Sequence, residues 1–272
     1  MLTPLQVQRF ETFGYLVLPQ LLGDDIGWIT EEFHAVFAES SLEHDGTKRT
    51  AIVPFVDQRE RLAALVDHDA IEGVLGPLLG DDFTYCGSDG NFYSGDTGWH
   101  ADGNHSIGKY LKIAIYLDPV DGDSGALRVI PGSHRAAALN GGWAARDAGR
   151  SVDLWGIEMR DVPSVTLRSE PGDVVVFNHN IMHASFGGST ARRMFTLNCV
   201  ARVNTAAEVR ELREYITVHR HFGLTRMHGP LMRDTGSPRR QRHLEQAIEH
   251  EDALLPDAMT QAQEPASQTQ AM

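Results

Sequence analysis

Hydrophobic and polar positions follow two different patterns along the chain, with the change near residue 80. Before it, apolar residues recur mostly at helical spacing, which predicts helices at 3–12, 26–38 and 59–79, with a short strand at 15–19. From Phe83 onward, short runs of β-branched and aromatic residues alternate with turns rich in Gly, Asp, Pro and Ser. These predicted strands are 83–86, 91–93, 110–117, 126–130, 164–167, 173–177 and 193–203. Strands at this spacing are typical of a β-sandwich or barrel rather than of alternating β-α units.

The run 111–117 alternates between two faces. Leucine and isoleucine occupy one face, and Lys112, Ala114 and Tyr116 occupy the other. The alternation leaves open whether Lys112 faces solvent or a polar barrel interior.

The chain shows no internal repeat and no convincing linker before its C-terminal end, so residues 1–255 are predicted to form one domain. Residues 136–163, rich in glycine and charges, are predicted to be an irregular insertion that could act as a lid, and Trp143 and Trp155 within it could close over a site. Helices are expected at 206–218 and 239–254. Residues 256–272 are polar and are expected to be disordered.

Composition and charge exclude some classes of partner. Asp and Glu number 37 against 24 Lys and Arg, a net charge of −13, which argues against a general nucleic-acid binder and against docking on anionic lipid. No apolar run approaches the roughly 20 residues that a membrane-spanning helix needs. Two cysteines cannot make a disulfide framework, and the N-terminal sequence lacks the features of a signal peptide, so a cytoplasmic protein is expected.

A histidine and a carboxylate two residues apart form the first candidate site. His100 and Asp102 follow a predicted strand, and residues i and i+2 of an extended segment project to the same side. His183, after the buried strand 173–177, is the best third ligand, with His179 as an alternative. Two histidines and one carboxylate on one face of a metal are typical of non-haem Fe(II) oxygenases. By itself the pair could also be an ordinary surface turn, and His219, His221 and His228 could form a second metal site.

Two adjacent arginines, Arg192 and Arg193, begin the last predicted strand. An arginine at this position could reach back into a barrel and bind a carboxylate with two parallel hydrogen bonds.

Taken together, these motifs resemble the phytanoyl-CoA dioxygenase family of Fe(II)- and 2-oxoglutarate-dependent oxygenases. The resemblance spans about residues 3 to 203, and no motif after about 205 matches. It is carried by Phe10-x3-Gly14-Tyr15, Trp99-His100-x-Asp102, Gly125-Ala126-Leu127, Pro131-Gly132-Ser133-His134, Pro171-Gly172-Asp173 and His183-x-Ser185 with Arg193. It implies a double-stranded β-helix, a cupin-like jelly roll that is mainly β with flanking helices.

The resemblance also implies roles for particular residues. His100, Asp102 and His183 would bind Fe(II). Arg193 would bind the distal carboxylate of 2-oxoglutarate with help from Ser185, and Arg192 is the alternative because adjacent strand residues face opposite ways. Asn91 and Tyr116 are expected near this cosubstrate. Proximity to the ligand segments makes four further residues candidates for substrate contact: Asn104, His105, Lys112 and Arg128.

The predicted activity is O2-dependent hydroxylation of an aliphatic C–H bond of a small-molecule metabolite or natural-product intermediate, with release of succinate and CO2. Halogenation is not expected, because halogenases of this group lack the carboxylate that Asp102 provides. Oxidative cyclisation or desaturation at the same site is an alternative. The second alternative comes from a different class of protein: a metal hydrolase or a non-catalytic metal-binding jelly roll. The substrate and the oligomeric state stay open.

Overall fold

The structure, a computed structural model, describes residues 1–138, 147–220 and 226–254. Its helices are α1 (Pro4–Phe13), α2 (Ile26–Glu39), α3 (Glu60–Ala63), α4 (Asp69–Leu79), α5 (Ser151–Trp155), α6 (Ala206–Arg220), α7 (Pro230–Asp234) and α8 (Pro238–Asp252). Its strands are β1 (Tyr15–Leu18), β2 (Thr50–Ile52), β3 (Thr84–Tyr93), β4 (Thr97–His100), β5 (Tyr110–Tyr116), β6 (Leu127–Val129), β7 (Val165–Leu167), β8 (Val174–Asn178), β9 (His183–Ser185) and β10 (Arg192–Val200).

Two antiparallel sheets form the body of the molecule. The larger has the strand order β1-β8-β5-β10-β3-β2, and the smaller has the order β4-β9-β6-β7. Apolar side chains from both sheets, including Tyr116, Leu127, Val129 and Phe177, form one buried cluster between them. Two sheets packed in this way, with helices outside, confirm the predicted jelly roll.

The alternation of β5 separates an inner face from an outer face. Leu111, Ile113 and Ile115 belong to the cluster that packs against the helices outside the larger sheet. Ala114 and Tyr116 belong to the cluster between the sheets. Lys112 shares their parity and therefore faces the interior of the barrel, which answers the question that the sequence pattern left open.

The helical segments cover the outer face of the larger sheet. Thr3 caps α1 with its side chain, and Pro4 occupies the first turn, as expected from the sequence. Phe33 of α2 lies fully buried, with its ring centre 5.2 Å from that of Phe55 and 5.4 Å from that of Phe92 on β3. This aromatic packing fixes α2 against the larger sheet.

Several element boundaries differ from prediction. The predicted strands 83–86 and 91–93 are one continuous strand, Thr84–Tyr93, and β4 was not predicted as a strand of its own. The insertion at 136–163 contains the short helix α5. Its residues 139–146, including Trp143, and the tail 256–272 lie outside the described residues, so the lid and the disordered tail stay predictions. Within the described ranges, no helix combines the length and apolar character needed to cross a membrane.

Candidate metal centre and adjoining cavities

Two short strands of the smaller sheet bring the predicted metal ligands together. His100 at the end of β4 is the cross-strand partner of His183 at the start of β9. Asp102 lies two residues beyond His100, and its Oδ1 is 3.8 Å from the Nε2 atom of each histidine. The ligand atoms of the three residues all lie within 4.8 Å of one another. This arrangement can hold one metal ion and leaves its other side open.

Backbone carbonyl groups orient both histidine rings. Nδ1 of His100 lies 2.8 Å from the carbonyl oxygen of Gly98, and Nδ1 of His183 lies 3.0 Å from that of Ile181. A donated N–H at Nδ1 leaves the lone pair on Nε2, the atom that faces Asp102. Burial lowers the pKa of His183 to about 4, so its ring is neutral and able to bind a metal at neutral pH.

A buried lysine stabilises the carboxylate of the triad. Nζ of Lys112 lies 2.9 Å from Oδ2 of Asp102, and each side chain is 17% exposed. Burial alone would raise the pKa of Asp102, but the charge of Lys112, with a smaller contribution from His183, holds it well below its usual range. Lys112 therefore occupies one carboxylate oxygen and leaves Oδ1 directed at the histidines.

We expect Lys112→Met to weaken Fe(II) binding, because Asp102 would lose the partner that fixes its orientation. Loss of such an outer-shell partner typically costs about 10–100-fold in metal affinity. Titration of the metal-free protein with Fe(II) under anaerobic conditions measures this change. Lys109→Met is the matched control, since Lys109, three residues earlier in the chain, pairs with Glu11 away from the metal centre. Equal affinities for both variants and the unsubstituted protein would contradict this role.

A small cavity of about 70 Å³ opens beside the triad, between the two sheets. We call it the barrel cavity; its lining includes the triad together with Tyr116, Ser185, Arg192, Met194 and Thr196. Arg192 is 4% exposed, and its Nε and Nη1 atoms have no hydrogen-bond partner. Its guanidinium lies over the ring of Tyr93, 5.0 Å from the ring centre, but buried N–H groups without hydrogen-bond acceptors are costly, so this group is suited to an anionic ligand. The buried Tyr116 hydroxyl has its pKa raised to about 12 and stays protonated.

The prediction for Arg193 needs a correction. Arg193 points to the outer face of β10, where its guanidinium pairs with Asp118 and Nη1 lies 2.9 Å from Nε2 of His34. It does not line the barrel cavity. Arg192, Met194 and Thr196 share the inner parity of β10, whereas Phe195 and Leu197 share the outer parity with Arg193. The strand register thus brings the alternative arginine, Arg192, to the triad.

A second and larger cavity of about 460 Å³ adjoins the first, and we call it the large cavity. The two share six lining residues: Asp89, Tyr93, Thr97, His100, Asp102 and Lys112. Its further walls come from Arg49, Val53, Pro54, Asp96, His179, Tyr215, Val218, His219 and Met227, among others. This volume lies within the range of small-molecule pockets, about 300–1,000 Å³.

Helix α6 supplies one wall of the large cavity that no sequence motif indicated. Tyr215, Val218 and His219 line it, and their spacing of three and four residues places them on one helix face. The rings of Tyr215 and His219 contact each other in a tilted arrangement, with centres 4.0 Å apart. The sequence signal for this wall was the spacing of two aromatic rings, Tyr215 and His219, on a predicted helix.

His179 is part of this wall and not of the triad. It is 2% exposed and lines the large cavity, with its ring centre 6.1 Å from that of Tyr215. Burial lowers its pKa to about 3, so the ring is neutral. Neither of its ring nitrogens has a hydrogen-bond partner.

Other predicted residues occupy different positions from those expected. Asn91 is fully buried, and its amide contacts Arg49 and Asp89 rather than lining a cavity. Arg128 donates to the carbonyl groups of Arg160 and Gly122, outside both cavities. Asn104 is exposed and lies outside both linings.

Among the candidates for substrate contact, Lys112 alone lines a cavity, although it is engaged with Asp102. His105 stacks on Tyr110 with ring centres 3.6 Å apart, behind the cavity wall. Ser185 lines the barrel cavity and donates its hydroxyl to the carbonyl oxygen of Gly125.

The histidines near the C-terminal helices do not form a second metal site within the described ranges. There, His100, Asp102 and His183 are the only group of three or more possible ligands close enough to share an ion. His228 is fully buried and lies 3.5 Å from Asp57, while His219 belongs to the cavity wall. His221 lies outside the described residues.

The sequence is similar to that of known oxygenases. Residues 10–195 match the family model described as phytanoyl-CoA dioxygenase (PhyH). The chain is also 24% identical over 215 residues to the ectoine dioxygenase of Stutzerimonas stutzeri (strain A1501), an alignment that covers 68% of this chain and 71% of that protein.

The fold is similar to that of solved structures. For the apo form of EctD from S. alaskensis the TM-score is 0.56 at 22% identity, over 74% of this chain and 77% of that one. For SnoK, a non-haem α-ketoglutarate-dependent carbocyclase from nogalamycin biosynthesis, the TM-score is 0.59 at 18% identity, over 74% of this chain and 84% of that one. For SnoN, an epimerase from the same biosynthesis, the TM-score is 0.57 at 16% identity, over 73% of this chain and 84% of that one.

Proposed function

Because this chain belongs to the phytanoyl-CoA dioxygenase family, and is therefore a non-haem Fe(II)- and 2-oxoglutarate-dependent dioxygenase, we propose that it hydroxylates an aliphatic C–H bond of a small molecule. In this proposal His100, Asp102 and His183 bind Fe(II). Arg192 binds the distal carboxylate of 2-oxoglutarate in the barrel cavity, in the role that the sequence suggested for Arg193. The substrate occupies the large cavity.

One observation carries the proposal: the buried guanidinium of Arg192 lines the same cavity as the triad and has two nitrogens without partners. A two-His-one-carboxylate site alone also suits a metal hydrolase. A hydrolase has no use for a buried carboxylate-binding arginine beside its metal, whereas a dicarboxylate cosubstrate requires one. The donor set, two histidines and one carboxylate, also suits Fe(II).

The residues of the site have separate tasks. The triad would hold the metal, Lys112 fixes the carboxylate of Asp102, and Arg192 with Tyr116 and Ser185 would orient 2-oxoglutarate in the barrel cavity. When bound, the metal and 2-oxoglutarate supply the oxidising chemistry, with release of succinate and CO2. The protein positions the target C–H bond at the junction of the two cavities and limits the access of water.

Hydroxylation is favoured over halogenation because the carboxylate ligand, Asp102, is present. The other carboxylate that lines the barrel cavity, Asp89, pairs with Arg49 instead of joining the triad. SnoK, a carbocyclase, and SnoN, an epimerase, have a similar fold, so cyclisation of the substrate is the second candidate. Product analysis distinguishes the two, because hydroxylation adds one oxygen atom from O2 and cyclisation adds none.

Anaerobic addition of 2-oxoglutarate to the Fe(II)-loaded protein tests the proposal. We expect a weak visible charge-transfer band, since chelation of 2-oxoglutarate by Fe(II) is the source of such absorption. Succinate should form once O2 is admitted. Binding of Zn²⁺ with neither a band nor succinate formation would favour the hydrolase and overturn the proposal.

We also propose that the protein acts on its substrate in the cytoplasm and without a nucleic-acid partner. The charge of −13 and the two buried, unpaired cysteines support this placement.

A further inference from the structure

The charges that line the large cavity are matched by partners of opposite sign. Arg49 lies 3.0 Å from Asp89, and Lys112 lies 2.9 Å from Asp102. Asp96, at the more exposed side, lies 3.5 Å from Arg160. Among the described residues, these pairs include every Lys, Arg, Asp and Glu side chain that lines the large cavity. A charged group of a ligand would lose its hydration here without gaining an unpaired counter-ion.

The polar groups that lack partners at this wall are uncharged. Both ring nitrogens of His179 and the hydroxyl of Tyr215 have no hydrogen-bond partner, and both residues line the cavity. Nε2 of His105 and the hydroxyl of Tyr110, in the ring cluster behind them, also lack partners. Leaving a buried donor or acceptor unsatisfied is costly, so a ligand that satisfies His179 or Tyr215 gains binding free energy.

The shape of the wall favours a ring. Tyr93, His179, Tyr215 and His219 present aromatic rings to the cavity, and Val53, Pro54, Val218 and Met227 add apolar surface. Aromatic rings bind best to flat or ring-shaped apolar groups. Tyr215, Val218 and His219 lie outside residues 10–195, the segment that matches the family model.

We propose that the substrate is an uncharged ring compound bearing hydroxyl or carbonyl groups, with its oxygens bound by His179 and Tyr215 in the large cavity. This inference rests on the proposed function, since it names the substrate class of the same site. It disfavours acyl-CoA thioesters, phosphonates and amino-acid zwitterions, each of which carries at least one charge that the cavity leaves unpaired.

Four probes that share one ring skeleton test the inference: 1-tetralol, 1-tetralone, 1-aminotetralin and tetralin-1-carboxylate. Binding to the anaerobic Fe(II)–2-oxoglutarate complex is measured by calorimetry. The two uncharged probes should bind with dissociation constants of roughly 1–10 mM, the affinity expected for fragments of this size. The amine and the carboxylate should bind at least about 10-fold more weakly because each must shed its hydration. Preference for a charged probe, or no binding by any of the four, overturns the inference.

The substitution His179→Phe tests whether the probes bind at this wall of the large cavity. The substitution keeps the ring and removes both nitrogens, so binding of 1-tetralol should weaken about 5–10-fold, the effect of one lost hydrogen bond. His34→Phe, outside the barrel beside Arg193, is the control and should not change it. Unchanged binding in His179→Phe also overturns the inference. The charge-transfer band separates the two proposals: without a band the proposed function fails, whereas a band with preference for charged probes leaves that function intact.

Discussion

Asp102→Ala is expected to reduce succinate formation to background. The carboxylate is the anionic member of the proposed ligand set, and its Oδ1 lies 3.8 Å from the Nε2 atoms of both histidines. We expect Fe(II) affinity to fall by more than the roughly 100-fold that loss of an outer-shell partner can cost. Anaerobic Fe(II) titration and a succinate assay measure the two effects.

The substitution also leaves the buried ammonium of Lys112 without its partner, which could lower stability. The double variant Asp102→Ala/Lys112→Met removes both charges and serves as the control for folding. It should unfold at a temperature near that of the unsubstituted protein and still form no succinate. Turnover at the unsubstituted rate in either variant would exclude Asp102 as a metal ligand.

Arg192→Ala is expected to weaken 2-oxoglutarate binding by about 10²–10⁴-fold. The estimate assumes the loss of two hydrogen bonds to a carboxylate, each contributing about 1.5–3 kcal/mol. Because Nε and Nη1 of Arg192 have no protein partner, the substitution breaks no hydrogen bond of these atoms within the fold. Titration of the charge-transfer band with 2-oxoglutarate measures the dissociation constant directly.

Arg193→Ala is the matched control, one residue along the same strand. It breaks the pair with Asp118, which is partly exposed, so we expect a stability cost of no more than about 1 kcal/mol and no change in 2-oxoglutarate affinity. Arg192→Lys should give an intermediate affinity, since it keeps the charge but not the paired geometry. Loss of 2-oxoglutarate binding in Arg193→Ala but not in Arg192→Ala would reverse the assignment.

The residue alternation of β10 contains information, beyond the motifs, on which of the two arginines faces the barrel interior. Arg192, Met194, Thr196 and Asn198 share one parity of β10, and Phe195, Leu197 and Cys199 share the other. The polar residues of the first set match a polar barrel interior, and the apolar residues of the second match packing against helices. Assigning the faces needed a known direction for at least one residue. The structure supplies it, since Phe195 packs in the helix-covered cluster.

Substrate contacts were harder to predict because they come from segments far apart in the sequence. Asn104 and Arg128 lie near the ligands along the chain, yet neither side chain lines a cavity. Tyr215 and His219 lie more than 30 residues beyond the last ligand and reach the cavity because α6 forms one of its walls. Nearness along the chain does not determine nearness in space when a helix is placed by tertiary packing.

By itself, the sequence determined the jelly roll, the family and the residue types of the metal centre. Strand alternation, turn residues and the His-x-Asp spacing are local properties, so they can be read without a fold. The tertiary structure decided which arginine lies in the cavity beside the triad, that Lys112 pairs with Asp102, and that α6 forms one wall of the large cavity. These features depend on strand register and helix docking, which are set by packing between segments distant in the chain.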